Sequence, residues 1–246
     1  MTEFHVVIPA RFGSTRLPGK PLLEIGGRAM VFHVIDRSRQ SGAASVTVAT
    51  DDERIFNAVE EYGGHVVMTD VAHQSGTDRV AQVCRQSQFS EDSVVVNVQG
   101  DEPEMPPELI RQVADALHNR PDCLMSTACT SLAGDDDCDD PNVVKVVRDI
   151  HLNALYFSRR SIPWNDQKSD SGLYRHIGIY GYRNSFLQNF SALEPCQIEQ
   201  FERLEQLRAL YHGYRITCVD AVRVPPPGVD SQADLDATRD RMRPAD

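Results

Sequence analysis

The sequence predicts an α/β fold with a mostly parallel central sheet, and three features lead to that prediction. Short apolar segments typical of buried strands occur at residues 4–8, Ser45–Thr50 and His65–Met68. Segments with apolar residues at helical spacing separate them, at Met30–Gln40 and around residues 55–62. Strands that alternate with helices in this way form βαβ units, whose crossovers make neighbouring strands parallel.

The remainder of the chain continues the alternation. Further strands are predicted at residues 93–99, 124–130, 142–149, Tyr174–Arg183 and 214–219. Further helices are predicted at residues 107–117 and 198–211, and a final one from about Gln232. The first of these strands is almost continuously apolar, so we expect it to be buried on both faces of the sheet.

The composition is that of an ordinary globular protein and excludes several classes. The chain of 246 residues is 41% hydrophobic and 25% charged, with a formal net charge of −11. No basic face or tail accompanies this charge, so a nucleic-acid partner is not expected. Neither a secretory pattern nor an apolar run of roughly 18 residues is found, so no membrane partner is expected. The six cysteines contain no C-x-x-C pair and are predicted to be reduced thiols of a cytoplasmic protein.

Residues 8–22, IPARFGSTRLPGKPL, form the stretch most informative about function. They follow the first strand and place three cations, Arg11, Arg16 and Lys20, among small residues such as Ser14. In such a loop, backbone N–H groups can approach an anion closely while fixed cations neutralise it. The stretch matches neither the G-x-x-x-x-G-K-[ST] phosphate loop nor the G-x-G-x-x-G dinucleotide fingerprint. It predicts a polyphosphate site, and the alternative is a basic surface loop without a ligand.

Two other stretches carry polar residues where ligands collect in such a sheet. Asp101 directly follows a central strand, where a carboxylate can hold Mg²⁺ together with phosphate oxygens and water. A helix cap or a simple turn is the alternative for Asp101. Residues 73–79, HQSGTDR, lead into a helix, and their spacing alone favours helix capping by Ser75 or Thr77.

Six separate strings resemble those of the CMP-Kdo synthetases, the cytidylyltransferases that activate 3-deoxy-D-manno-octulosonate (Kdo). They are IPARFGSTRLPGKPL, HQSGTDR, VNVQGDEP, ALYFSRRSIPW, RHIGIYGY and GVDSQADL, at residues 8–22, 73–79, 96–103, 154–164, 175–182 and 228–235. The family pattern carries threonine where this chain has Ser231. Relatives that activate sialic acid share the IPAR opening and then diverge, whereas sugar-1-phosphate nucleotidylyltransferases carry Gly-Gly in place of Pro9-Ala10.

The resemblance implies a fold, a reaction and an assembly. The fold would be the Rossmann-like nucleotide-diphospho-sugar transferase fold, as one domain over residues 1–246. Its nucleotide-binding part would comprise about 1–120 and 220–246, and its sugar-binding and dimerisation part about 121–219. The reaction would transfer CMP from CTP to the anomeric hydroxyl of Kdo, giving CMP-Kdo and pyrophosphate, with Mg²⁺ as cofactor. The protein would be a cytoplasmic homodimer whose product feeds lipopolysaccharide biosynthesis.

The resemblance also implies roles for individual residues. Arg11, Lys20 and Asp101 are the expected catalytic residues, and Asp101 and Asp230 the expected metal ligands, although spacing alone favours Asp230 as a helix N-cap. The residues expected to bind CTP are Ala10, Arg11, Ser14, Arg16, Lys20, Ser75, Gly76, Arg79 and Gln99. The residues expected to bind Kdo are Arg159, His176, Tyr180, Glu205 and Gln206. Arg159 would grip the carboxylate of the sugar acid, because a planar guanidinium binds a carboxylate bidentately.

Three alternatives remain beside this interpretation. The acceptor could be another 2-keto sugar acid, such as sialic acid or amino-Kdo. The protein could be a sugar-1-phosphate nucleotidylyltransferase, which the missing Gly-Gly opening argues against. It could also be a non-catalytic nucleotide-sensing module, although such a module is expected to have lost a metal carboxylate, and both candidates are present in this chain.

Overall fold

A nine-stranded sheet runs through the part of the chain that this computed structural model describes, residues 3–13, 16–73, 75–132, 136–164 and 172–243. Ser14, one of the residues expected to bind CTP, lies outside the described residues. The strands are β1 (Phe4–Ala10), β2 (Glu24–Ile25), β3 (Arg28–Ala29), β4 (Ser45–Thr50), β5 (His65–Met68), β6 (Val94–Asn97), β7 (Met125–Ser131), β8 (Lys145–Arg148), β9 (Ala154–Ser158), β10 (Tyr174–Arg183) and β11 (Ile216–Asp220), of which β2 and β3 form a separate hairpin. The helices are α1 (Met30–Gln40), α2 (Glu53–Glu61), α3 (Gly76–Gln86), α4 (Pro107–Asn119), α5 (Asp136–Asp139), α6 (Asn184–Phe190), α7 (Gln197–Glu202), α8 (Gln206–Tyr211) and α9 (Gln232–Arg241).

The strand order places the beginning of the chain at the centre of the sheet. The order is β11-β7-β10-β6-β1-β4-β5, and β8 and β9 extend the sheet beside β10. Strands β6, β1, β4 and β5 are parallel, β11 is parallel to β7, and β10 is antiparallel to β6 and β7. The chain winds from β1 to β4 and β5 on one side, and then reaches β6 on the other side of β1. The carboxyl ends of β1 and β6 therefore flank a topological switch point, where sheets of this type bind ligands.

Helices cover both faces of the sheet. Alternate residues of each central strand point to opposite faces, so each strand contributes to two cores. In β1, Val6 and Ile8 contribute to a core that includes residues of α1, α2 and α4. Val7 contributes to the opposite core, with residues of α3, α6 and α8. A smaller cluster joins Leu17 of the opening loop to Val229 near the end of the chain. This third cluster brings the opening loop and the segment before α9 together.

The predicted α/β fold with a mostly parallel sheet is confirmed. Ser45–Thr50 and Tyr174–Arg183 form the strands that the sequence predicted, whereas α6 was not predicted. The single helix predicted at residues 198–211 is wrong, since the segment forms α7 and α8 with a break between them. Arg203 has a φ of 53°, a left-handed conformation that an α-helix cannot continue. The break places Glu205 at the beginning of α8. Among the described residues, no helix has the length and apolar character needed to cross a membrane.

Candidate active site

A cleft of about 240 Å³ opens at the carboxyl ends of β1 and β6. It is lined by Pro9, Ala10, Arg11, Gly13, Lys20, Pro21, Gly76, Gln99, Gly100 and Asp101. These residues come from the opening loop, the beginning of α3 and the turn after β6. Gly100 permits the close approach of the segments, because a Cβ atom there would lie 2.9 Å from the carbonyl oxygen of Pro9. The cleft brings together five of the residues expected to bind CTP, namely Ala10, Arg11, Lys20, Gly76 and Gln99.

Lys20 is the centre of the ionic contacts in this cleft. Its Nζ donates hydrogen bonds to Asp101 Oδ2 at 2.7 Å, to the carbonyl oxygen of Val229 at 2.9 Å and to Asp230 Oδ1 at 3.1 Å. Burial by itself would lower the pKa of Lys20, but the carboxylates of Asp101 and Asp230 raise it above the usual value. The ammonium group therefore stays charged and joins the opening loop to two segments that are distant in sequence. Arg16 adds a second cation, with its Nη2 3.1 Å from Asp230 Oδ1.

Asp101 and Asp230 converge on Lys20, and neither of them caps a helix. The N-cap of α4 is Pro106 and the N-cap of α9 is Ser231, so the capping alternatives considered for the two aspartates are wrong. The backbone N–H of Val229 donates to the carbonyl oxygen of Asp101 at 2.9 Å, which fixes the segment before α9 against the turn after β6. The two carboxylates are thereby presented to one point at the cleft.

Glu102 is a third acidic residue of this group, and the sequence analysis missed it. Burial, together with the charges of Asp101 and Asp230, raises the pKa of Glu102 to about 8. Its position beside Asp101 in the VNVQGDEP string was the available signal. Carboxylate oxygens are ligands that a hard divalent cation prefers. Among the described residues, no cluster of three or more His, Cys, Asp or Glu side chains is arranged to hold a metal ion unaided.

The beginning of α3 differs in part from what the sequence predicted. Ser75 is the N-cap of α3, and its Oγ accepts a hydrogen bond from the backbone N–H of Asp78 at 3.1 Å. The helix-capping alternative for Ser75 is therefore confirmed, and Gly76 next to it lines the cleft. The first turn of α3 also contacts Glu205, at the beginning of α8.

Arg79, one of the residues expected to bind CTP, forms an ion pair in the interior. The Arg79 side chain is 1% exposed, and its Nη2 lies 2.5 Å from Asp51 Oδ2. Its Nη1 donates to Thr69 Oγ1 at 2.8 Å. Arg79 lies three residues after Gly76 in α3, and its side chain points into the interior. Its guanidinium therefore connects the segments that follow β4 and β5. Arg79 Nε is buried without a hydrogen-bond partner among the described residues, so its expected contact with CTP stays a prediction beside this structural role.

A second group of polar side chains lies beside the cleft, where β10 pairs with β6. Tyr180 is paired in register with Asn97 of β6, and Gln99 Nε2 donates to Asn97 Oδ1 at 3.3 Å, which links the group to the cleft. The ring of His176 lies 5.4 Å from that of Tyr180, between centroids. Nε2 of Gln206 is buried and has no hydrogen-bond partner among the described residues. A buried donor without a partner costs free energy, so Gln206 Nε2 is available to a ligand that supplies an acceptor.

Arg159 lies apart from that second group. Its Nε donates to the carbonyl oxygen of Glu202 and its Nη1 to that of Pro141, both at 2.8 Å. It lines a separate cavity of about 450 Å³ together with Phe201. These two bonds hold the Arg159 guanidinium beside Glu202 and Pro141. The structure thus does not bring Arg159 together with the other residues expected to bind the sugar.

The protonation of His176 leads to a prediction about stability. Burial lowers the pKa of His176 to about 3, whereas an unfolded histidine titrates near 6.5. Below about pH 6.5 the unfolded chain takes up a proton that the folded chain does not, so stability falls as the pH falls toward 3. Between pH 7 and 5 this residue should cost about 2 kcal/mol of unfolding free energy. In urea denaturation between pH 7 and 5, the unfolding free energy of His176→Gln is expected to fall by about 2 kcal/mol less than that of the wild type.

The control is the same exchange at His118, an exposed residue near the end of α4. Parallel pH dependences of wild type and His176→Gln would contradict the prediction. A larger loss of stability in His176→Gln at both pH values, with an unchanged slope, would show that only the hydrogen bond of His176 Nε2 to Thr127 Oγ1, 2.8 Å long, had been removed.

A larger cavity of about 680 Å³ is lined by Arg120, Asp122 and Arg215, among others. Its charges already satisfy one another, since Arg120 Nε lies 2.9 Å and Arg215 Nη1 3.0 Å from the carboxylate of Asp122. The cleft between β1 and β6 differs, because its carboxylates and cations face the switch point of the sheet. A switch-point cleft with these groups suits a nucleoside triphosphate whose phosphates are to be cleaved, which is the arrangement of a nucleotidyltransferase.

Comparisons with known proteins agree with that class and make it narrower. A family profile described as cytidylyltransferase matches residues 5–216. Relatives from Thioalkalivibrio sulfidiphilus and Idiomarina loihiensis, both named 3-deoxy-manno-octulosonate cytidylyltransferase, are each 49% identical, over 98% and 96% of this chain and 99% and 97% of their own. A solved structure of CMP:2-keto-3-deoxy-manno-octonic acid synthetase complexed with CTP gives a TM-score of 0.92 at 40% identity, covering 98% of both chains. The chain therefore belongs to the cytidylyltransferase family, in its 3-deoxy-manno-octulosonate branch.

Proposed function

We propose that the protein transfers CMP from CTP to the anomeric hydroxyl of Kdo and releases pyrophosphate. The observation that carries this proposal is the meeting of Lys20, Asp101 and Asp230 at the switch-point cleft, in a chain that is 49% identical to enzymes named for this reaction. The resemblance in the strings at residues 8–22 and 175–182 favours Kdo over sialic acid. A nucleotide-sensing module that had given up catalysis would not be expected to retain both carboxylates.

The triphosphate of CTP would lie along the opening loop. Arg11 and Lys20 line the cleft there, and Arg16 stands beside them at Asp230. The anomeric oxygen of the sugar acid forms a bond to the α-phosphorus as the bond to the β-phosphate oxygen breaks. Pyrophosphate leaves with the electron pair, and the hydroxyl loses its proton. Such a transfer needs positioning and charge neutralisation more than covalent participation by the protein, which suits a cleft lined with cations.

Asp101 and Asp230 are the residues that we propose would hold Mg²⁺. Their oxygens converge on Lys20 Nζ, so negative charge is concentrated at a point where a divalent cation would also neutralise it. When bound, the ion would neutralise charge on the phosphate oxygens. Two protein carboxylates with phosphate oxygens and water form a coordination shell typical of Mg²⁺.

The sugar acid would occupy the group formed by His176, Tyr180, Glu205 and Gln206. We infer that the unpartnered Nε2 of Gln206 donates to a sugar oxygen and that the neutral His176 and Tyr180 bind hydroxyl groups. Arg159 would contact the carboxylate of the sugar acid through the guanidinium N–H groups that its two backbone carbonyl partners do not use. Residues 1–120 and 220–246 would then form the nucleotide-binding part, and residues 121–219 the sugar-binding and dimerisation part.

The assembly that we propose is a homodimer that pairs through α7, α8 and the segment after β9. Phe201 is 78% and Tyr211 65% exposed, which is unusual for aromatic side chains on adjacent helices. Light scattering should give the mass of two chains for the wild type and of one chain for Phe201→Glu.

The location that we propose is the cytoplasm, since the six cysteines are all free. The product would there supply lipopolysaccharide biosynthesis.

The decisive experiment is an assay of pyrophosphate release with CTP and Mg²⁺. Kdo, N-acetylneuraminate and a sugar-1-phosphate are compared as acceptors, and a reaction without acceptor measures the hydrolysis of CTP. Release with Kdo alone is expected. Release with only one of the other acceptors would replace the sugar acid in the proposal, and binding of CTP without release under any condition would point to a nucleotide-sensing protein.

A further inference from the structure

The first turn of α3 lies between the two proposed substrate positions. Gly76 lines the cleft for the nucleotide, and the next residue, Thr77, is 3% exposed. Thr77 Oγ1 donates a hydrogen bond to Glu205 Oε2 at 2.5 Å, across 128 positions of sequence. One residue of this turn thus contacts the nucleotide cleft while its neighbour contacts the group proposed for the sugar acid.

Glu205 depends on this turn for its hydrogen bonds. Burial raises the pKa of Glu205, and hydrogen bonds from the hydroxyls of Thr77 and Ser75 oppose that rise by stabilising the carboxylate. Thr77 therefore joins α3 to the beginning of α8, and its hydroxyl determines where the Glu205 carboxylate is held.

The turn is itself held rigidly. Ser75 and Asp78 form a capping box at the beginning of α3. Ser191 Oγ donates to Asp78 Oδ1 at 2.6 Å, which fixes the turn to the segment after α6. A carboxylate that is oriented by such a turn is preorganised for its ligand, and preorganisation reduces the free-energy cost of binding.

We propose that Thr77 is a positioning residue that holds Glu205 for the sugar acid and links it to the turn lining the nucleotide cleft. The inference rests on the proposed function, because it assumes that Glu205 faces the sugar acid. Nothing in the sequence string distinguished Thr77 from a helix-capping residue. Its contact with Glu205 depends on the break in the chain at Arg203, which only the folded structure contains.

Kinetics of Thr77→Val and Thr77→Ser test this proposal. Valine has the shape of threonine without the hydroxyl, and serine keeps the hydroxyl. Thr77→Val is expected to raise KM for Kdo about tenfold, equivalent to about 1.4 kcal/mol. The Kd for CTP, measured by calorimetry, should change less than about twofold, and Thr77→Ser should restore KM for Kdo to near the wild-type value. Thr238→Val removes a hydroxyl from a buried threonine of α9 and serves as the matched control.

A double-mutant cycle separates positioning from a purely structural role. If Thr77 acts through Glu205, Thr77→Val should add little to the rise in KM caused by Glu205→Gln. Additive effects, a loss of CTP affinity equal to the loss for Kdo, or wild-type kinetics in Thr77→Val would each overturn the proposal. If Thr77→Val fails to fold, Glu205→Gln decides by itself, because an unchanged KM for Kdo in that variant removes the reason to position the carboxylate.

The failures of the two proposals are distinguishable in the same series. A wild type that releases no pyrophosphate with Kdo refutes the proposed function and, with it, the inference about Thr77. A wild type that is active with Kdo, together with an equally active Thr77→Val, refutes the inference alone.

Discussion

Asp101→Asn is expected to lower kcat on the order of a hundredfold or more while the fold survives. Asparagine keeps the size of the side chain but removes the charge that faces Lys20 at 2.7 Å. Asp101 is one of the two carboxylates proposed to hold Mg²⁺, so the concentration of Mg²⁺ that gives half-maximal activity should also rise. The thermal unfolding temperature should change little, because the side chain is 31% exposed and can be solvated.

The control for that variant is Asp240→Asn. Asp240 lies in α9, is 74% exposed and contacts Arg243, just after the helix, at 3.5 Å. Its variant therefore tests the loss of a surface carboxylate. Near-normal turnover in Asp101→Asn, with normal thermal stability and an unchanged Mg²⁺ dependence, would remove Asp101 from the mechanism. A large fall in unfolding temperature together with the lost turnover would instead assign it a structural role.

Lys20→Met is expected to cause a loss of kcat/KM of similar size, also on the order of a hundredfold or more. Methionine keeps the length of the side chain, but it removes the ammonium that contacts Asp101, Asp230 and the carbonyl oxygen of Val229. The group of carboxylates would then lack its nearest cation, and the triphosphate would meet uncompensated negative charge. Unlike Asp101→Asn, this variant should therefore also weaken the binding of CTP in calorimetry.

Two further variants interpret the result for Lys20. Lys20→Arg keeps the charge but not the point geometry of the ammonium, so it should recover part of the CTP affinity and little of the turnover. Arg223→Met, at a 69% exposed residue that pairs with Glu108, controls for the loss of a surface cation. CTP affinity and turnover in Lys20→Met that match those of Arg223→Met would contradict a role for Lys20 in catalysis.

Much of the fold could be predicted because it follows from short-range patterns. The strand Ser45–Thr50 is an unbroken run of β-branched and small residues followed by the Asp52 cap of α2, and both features were evident from neighbouring residues alone. The helix predicted at 198–211 failed although its apolar spacing was regular. The spacing of apolar residues does not report the backbone conformation of Arg203, whose left-handed φ ends α7.

The candidate site could be predicted in part for the same reason. The cations of the opening loop and the carboxylate of Asp101 follow strands directly, so the direction of a parallel sheet places them at one edge. The position of Arg79 could not be obtained this way. The string around it fits a ligand contact and a structural one equally well, and only the position of Asp51 after β4 directs the guanidinium into the interior.

By itself, the sequence determined most of the strands and helices of the fold, the cationic loop after β1 and the family to which the chain belongs. These depend on the order of residues within short segments, which a reader of the sequence sees directly. The tertiary structure alone decided that Asp101 and Asp230 both contact Lys20, that burial raises the pKa of Glu102, and that Thr77 contacts Glu205. Each of these is a contact between segments far apart in sequence, and it exists because packing of helices on the sheet brings their ends to one place.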